Sequence, residues 1–424
     1  MIKRFLIIAF LLLLTSMTVA AQDAVELRFL CYQDGTECDV YSDLLGRFTA
    51  DNADISVVVD IVPYGTIRDN LRVQVEAGEA PDMARITDFA GMSGYYLDLR
   101  SLMTDPSLLE DNFASASLAA FRSDADDNGL YGFPDAVTVT GPFVNATLFE
   151  QAGMEMPGEG ATWDEWITAL TGVAEATGVE YAVAIDNKGH RFAGPAMSLG
   201  ATYFDDEGNF DLADDEGFAT FAEMLKSWLD GGLSPRETWA TGDSYQAANN
   251  YFINAQTVMY FSGSWQIGSF ANTIGTAFDW VVAPNPTGPG GSTGVAGGAG
   301  IAAYAQTEHP EAVARVMEYL LQPEVYAEFS GRTLGIPAHA AVIEMGVDYQ
   351  TESQLVKDAL AAFSLEIPKL QDQAIRLNIH PLAFAYYDAS NTRLQQYFAG
   401  ELTLEEAMTR MQEDIDAAAA NASA

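Results

Sequence analysis

Leu130-Tyr131-Gly132-Phe133-Pro134, with the run through Val137-Thr138-Val139-Thr140 to Phe143-Val144-Asn145, decides how this chain is divided. A Gly and a Pro flank an aromatic, and a β-rich stretch follows. Such a segment is extended, stiffened by Pro and without helical periodicity. It reads as a strand crossing between two lobes. About a hundred residues before it form one α/β unit, and a second unit opens at Thr162-Trp163-Asp164-Glu165-Trp166. A cleft is expected beside the crossing, and the function in that cleft.

Upstream, residues 25–30 alternate apolar and polar as a strand does, and Asp39 is placed to cap a helix carrying Tyr41, Leu44, Leu45 and Phe48. Residues 55–62 (ISVVVDIV) are nearly continuously apolar, the pattern of a strand covered on both faces. Residues 67–77 read as a helix closed by Gly78, and 81–86 as a short third strand. This order predicts a parallel α/β sheet, in which ligands sit beyond the carboxyl ends of the strands. Those ends are the loops at Tyr32 to Asp34, at Pro63-Tyr64-Gly65 and at Thr87-Asp88.

Downstream, Thr162 and Glu165 form a capping box for a helix to Thr177. Residues 217–229 and 245–253 also read as helices, and 181–185 and 257–261 as strands, the latter running into Ser262-Gly263-Ser264-Trp265. Residues 284–300 are rich in Pro, Gly and Ser and mark a second crossing, and Leu334-Gly335-Ile336-Pro337 marks a third. The remainder is helical, ending in an Ala-rich tail. Several crossings, rather than one linker, join the two lobes.

Lys3 and Arg4, the apolar stretch from Phe5 to Leu14 and the small residues Val19-Ala20-Ala21 form a secretory signal over residues 1–21. The apolar part is short for a membrane span, and no Cys stands at the cleavage point for a lipid anchor. A soluble exported protein, periplasmic or extracellular, is expected. The chain carries 20 basic and 60 acidic residues, net −40, or −42 once Lys3 and Arg4 are removed. That balance argues against nucleic-acid and anionic-membrane partners. Cys31 and Cys38, the two cysteines, are expected to pair as a disulfide in an oxidising compartment.

Along nearly the whole mature chain, short segments follow one another in a recognisable order: EAGEAPD at 76–82, GLYGFP at 129–134, NATLFEQAG at 145–153, TWDE at 162–165, FSGSW at 261–265, Gly297-Gly298, the helix from His309 to Leu321, and GIPA at 335–338. Together they resemble the extracellular solute-binding proteins of ABC importers, in the group that includes maltose-binding proteins. The resemblance implies an α/β, two-lobed periplasmic-binding-protein fold of type II-like topology. It implies an N-lobe of 25–137 plus 298–336 and a C-lobe of 140–296 plus 340–424. It further implies a monomer that captures a mono- or oligosaccharide by hinge closure and delivers it to permease subunits, with no catalysis and no cofactor. The alternatives are a non-sugar solute (a polyol, a glycerophosphodiester, a peptide) or a secreted glycoside hydrolase. A phosphate-bearing ligand would want clustered Lys or Arg, and basic residues are scarce.

A sugar site wants flat aromatic platforms and planar polar groups. Trp265 follows a strand and two small residues, so its ring is free to project into a cleft, and in the resembled family this Trp often stacks on sugar; otherwise it is a core residue. Tyr32, Gln33 and Asp34 lie at a strand's carboxyl end, or form a stapled surface turn. Asp88 lies at another such end, or caps a turn. Trp239 flanks the loop at Gly242-Asp243 with Tyr245 on the other side. Arg332 offers a guanidinium fork near the third crossing, or an ordinary ion pair. Tyr386 takes the place of a stacking aromatic in the family, or packs in the core. Gly298 allows close backbone approach at a hinge. Asp124, Asp126, Asn128 and Asp135 fit the spacing of a calcium loop, except that Asp replaces the final Glu. The competing reading is an Asn-Gly turn leading into a strand.

Overall fold

The computed structural model describes residues 24–123, 126–240 and 248–422. Among the described residues, ten strands form two sheets. The first contains β1 (Val25–Cys31), β2 (Ile55–Ile61), β3 (Met83–Ile86), β4 (Gly132–Pro134) and β10 (Gly300–Ala303), in the order β2-β1-β3-β10-β4. β1 pairs in parallel with β2 and β3, while β10 runs antiparallel to β3 and β4. The second contains β5 (Thr138–Asn145), β6 (Tyr181–Ile185), β7 (Thr257–Gly263) and β8 (Trp280–Val282), in the order β6-β7-β5-β8, with β9 (Ala296–Gly297) paired to the start of β5. β6 and β7 are parallel.

The apolar periodicities close each core. Tyr41, Leu44, Leu45 and Phe48 all bury on the first sheet from the helix Glu37–Asp51. That helix begins before the anticipated Asp39: the Glu37 carboxylate turns back to accept from the backbone N–H groups of Asp34 and Gly35. Cys31 and Cys38 are bonded, tying the end of β1 to this helix's first turn with Cα atoms 5.8 Å apart. In the second lobe Thr162 and Glu165 close the capping box, and Trp163 and Trp166 pack in the core.

Two expectations are corrected and one helix is added. β2 is not covered on both faces; it is an edge strand, and Val58 and Ile61 are 41% and 49% exposed. Its apolar composition reflects β propensity more than burial. A helix at Gly189–Ser198, with Pro195 inside it, was hidden by its Gly and Pro content and is almost wholly buried. The helix Ala340–Met345, placed by the sequence boundaries in the C-lobe, packs on the helix Pro323–Thr333 and puts Val342 in the first lobe's core.

The three crossings meet side by side. Asp135 N–H donates to Ala299 O (2.9 Å), Val137 N–H donates to Ile336 O (2.9 Å), and Thr138 pairs with Gly297. Gly298 has φ +147°, and a β-carbon there would stand 2.3 Å from Ala136 O, so only glycine fits at this contact. Extended segments joined by a few backbone hydrogen bonds make a hinge; the two cores lie on either side of it.

Candidate functional site

Beside the crossings lies a cleft enclosing about 810 Å³ of non-atom space, some of it open to solvent. Most of its walls come from strands' carboxyl ends or the segments that follow them. Tyr32 and Asp34 follow β1, Tyr64 and Arg68 lie in the first turns of the helix Tyr64–Glu76 after β2, and Arg85 and Thr87 lie on and after β3. From the second lobe come Lys188, His190 and Arg191, at the start of the helix after β6, and Trp265, after β7. Asn378, Phe384 and Tyr387 complete that side, and Gly297 and Gly298 form part of the hinge wall.

Two arginine–aromatic stacks face the space, one from each lobe. The Arg85 guanidinium lies 4.5 Å from the Tyr32 ring centre, and that of Arg191 lies 4.2 Å from Trp265. Stacking holds a guanidinium by its faces and leaves its in-plane N–H groups to hydrogen bonding. Arg85 is fixed by Asp135 (Nε to Oδ2, 2.7 Å) and by Tyr32 O (3.1 Å). Arg191 stands 3.8 Å from the Asp186 carboxylate. Asp186 in turn accepts from the Tyr260 hydroxyl (2.6 Å) and Ala248 N–H (2.9 Å). Burial pushes Asp186 up to about 6, against the pull of Arg191.

His190 orders this corner. Burial and the adjacent Arg191 hold its pKa down to about 3, so the ring is neutral. Its Nε2 lies 3.0 Å from Ala296 O and its Nδ1 3.2 Å from Arg191 Nη1. A carbonyl can only accept and a guanidinium can only donate, so Nε2 carries the proton. The Tyr64 hydroxyl shares a hydrogen bond with Thr87 Oγ1 (3.0 Å), and burial pushes its pKa up to about 12, so it stays protonated. Trp265 is half-buried, its indole N–H buried without a hydrogen-bond partner. A β-carbon at Gly263 would meet the Trp265 ring at 2.0 Å; the glycine lets the ring fold back over the strand end.

Of the residues singled out in the sequence, Tyr32, Asp34, Trp265 and Gly298 come together on the cleft. The others do not line it. Gln33 accepts from Cys38 N–H (3.2 Å), securing the stapled turn. Asp88 accepts from Gly91 N–H (2.9 Å) and is pushed up to about 6 by burial. Trp239 is buried against Phe192 and Phe398, while Gly242, Asp243 and Tyr245 lie outside the described residues. Arg332 pairs with Asp43 and Glu328, joining two helices of the first lobe. Tyr386 is fully buried, its hydroxyl 2.7 Å from that of Tyr203.

The calcium-loop reading fails at its last position. Asp135 is buried with Arg85 and also accepts from Tyr41 Oη (3.1 Å), so it belongs to an ion pair in the core. Asn128 donates its amide to Asp126 O within the turn, and Asp124 lies outside the described residues. Among the described residues no group of three or more His, Cys, Asp or Glu is placed to hold a metal.

Lys188, His190 and Arg191 follow the carboxyl end of β6, the kind of position that marks a site in a parallel sheet. Tyr64 and Thr87 lie in loops marked in the sequence on the same ground. Asn378, Phe384 and Tyr387 lie in the segment whose likeness to the family pointed to Tyr386 instead, and Arg68 carried no signal of its own.

The family model described as "Bacterial extracellular solute-binding protein" matches residues 37–327. A Brucella abortus protein named only as a binding protein is 23% identical over 362 residues, covering 82% of this chain and 83% of its own. An arabinooligosaccharide-binding protein of Halalkalibacterium halodurans is 24% identical over 313 residues, covering 70% and 67%. Among solved structures, the GacH receptor of Streptomyces glaucescens, studied unliganded and with acarbose, superposes with a TM-score of 0.77. It is 20% identical, over 92% of this chain and 97% of that one.

Proposed function

The chain belongs to the family of bacterial extracellular solute-binding proteins, and on that premise we propose that its cleft captures a saccharide by closing the two lobes over it and delivers it to an ABC importer. The observation that carries this reading is the cleft itself: Trp265, Tyr32, Tyr64 and Tyr387 supply aromatic surface around planar guanidiniums and neutral donors, at strand ends on both sides of a three-stranded hinge. Apolar C–H faces and hydroxyl rims of a sugar match that mixture. The relative named for arabinooligosaccharides supports the same ligand class. A ligand touching both walls binds the closed form better than the open one, and that difference drives closure.

In this reading the protein works outside the cytoplasm, with permease subunits as partners, and turns over no substrate. The signal-like residues 1–21 support export. No helix of the described residues is long and apolar enough to cross a membrane. The test is calorimetric titration of the chain from Gln22 onward with a panel of mono- and oligosaccharides, repeated with Trp265→Ala. Stoichiometric binding without product is expected, weakened at least ten-fold by the substitution, about 1.4 kcal/mol. No heat across the panel would redirect the search to polyols, phosphodiesters and peptides. Consumption of the sugar would mean an enzyme.

A further inference from the structure

We propose that the captured saccharide is acidic, carrying a carboxylate that lies between the cations of the two cleft walls; this rests on the saccharide-capture reading above. The chain as a whole has three acids for every base, 60 against 20. Among the described residues lining the cleft the ratio inverts: Arg68, Arg85, Lys188 and Arg191 face it, against Asp34 as the one acid. The scarcity of basic residues in the sequence argued against a phosphate-bearing ligand. The fold gathers a fifth of them at one place.

The cations are arranged, not merely present. Asp135, Asp186, Asp69 and Asp388 are carboxylate partners of the three arginines, and none of the four lines the cleft. The buried pairs of Arg85 and Arg191 thus turn their positive ends toward the ligand space, while Asp69 and Asp388 flank Arg68 on the exposed side. A bound anion meets a cation at hydrogen-bond distance and the backing carboxylate only farther off, and Coulomb energy falls with that distance. Arg85 and Arg191 are almost fully buried, with side chains 6% and 7% exposed, so water weakens their attraction for a ligand little. Two helices also start at the cleft, at Tyr64 and Gly189, and add the positive ends of their dipoles.

The partner carboxylates limit the charge that the wall can balance. They neutralise much of the wall, which suits the single charge of a carboxylate better than the two of a phosphate monoester. A guanidinium fork also matches a planar carboxylate in-plane. Arg68 and Arg85 belong to one lobe, Lys188 and Arg191 to the other, so an anion between them favours the closed state over the open one. The net charge of the whole molecule repels an anion only at long range, and a Debye length of about 8 Å at physiological ionic strength screens that repulsion.

The experiment titrates the chain from Gln22 onward with matched pairs of saccharides, each neutral sugar beside its C6-oxidised uronate and its C6 phosphate. The same titrations are run on Arg68→Gln and Lys188→Gln, with thermal unfolding recorded for each protein. The uronate is expected to bind at least ten-fold tighter than its neutral partner, and each substitution to shrink that ratio several-fold. A ratio near or below one, or a ratio that neither folded variant changes, overturns the acidic ligand and leaves saccharide capture standing. Tighter binding of the phosphate overturns the carboxylate assignment. Silence toward every member of every pair overturns both readings together.

Discussion

Tyr386 and Tyr387 are neighbours in sequence with opposite positions in the fold. Successive helical residues point about 100° apart, so one ring enters the second core while the next reaches the cleft. The likeness to a family segment located the helix but not its phase, because which face packs inward depends on Tyr203 and Phe210, far away in sequence. Tyr386→Phe removes the buried hydroxyl contact with Tyr203 and is expected to cost roughly 1–2 kcal/mol in urea unfolding, with ligand affinity unchanged. Tyr387→Ala is expected to weaken saccharide binding about ten-fold. Equal effects of the two on affinity would contradict the placement. Trp265 was readable from sequence because Gly263 and Ser264 before it leave room for its ring, a local cause.

At the scale of elements, the hinge was the most legible feature. Pro and Gly punctuate each crossing, and these residues act through their own backbone preferences, without help from the fold. Their pairing was not legible, since the bonds between residues 135–138, 296–299 and 336 join segments up to two hundred positions apart. Gly298→Ala tests the arrangement: its β-carbon would be forced against Ala136 O at a φ that L-residues rarely adopt. A loss of roughly 1–3 kcal/mol in stability is expected, with weaker binding as the hinge shifts. Gly158→Ala, where no atom lies within 4 Å, is the control and should change neither. The edge position of β2 escaped the sequence for a related reason. Apolar content reports what a strand can tolerate, and neighbours decide what it receives.

For the whole molecule, pH couples the cleft to stability. The folded pKa of His190 is depressed to about 3, against about 6.5 unfolded, so the folded state binds fewer protons in that window. Its contribution is present above pH 6.5 and is lost as pH falls. Asp88 and Asp186, raised to about 6, act oppositely: between about 4 and 6 the folded state binds more protons, and stability gains as pH falls. Comparison with a variant isolates one group. The stability advantage of the native chain over His190→Gln is expected to shrink by roughly 2 kcal/mol from pH 7 to pH 5 in urea unfolding, and a constant difference would show the ring to be solvated. At this scale the lobes also touch across the cleft mouth, where Arg68 stands 3.6 Å from Asp388 and Ile379 packs beside the first lobe's apolar residues. The sequence by itself determined the α/β alternation, the hinge segments, the disulfide pair and the strand ends where a site would form. Each of these follows from local periodicity, turn chemistry or the pairing of two cysteines. Only the tertiary structure decided which side chains face the cleft, and that four of the scarce cations gather there, two of them with buried carboxylates behind them. Facing across a cleft is a relation between segments distant in the chain, and no local pattern encodes it.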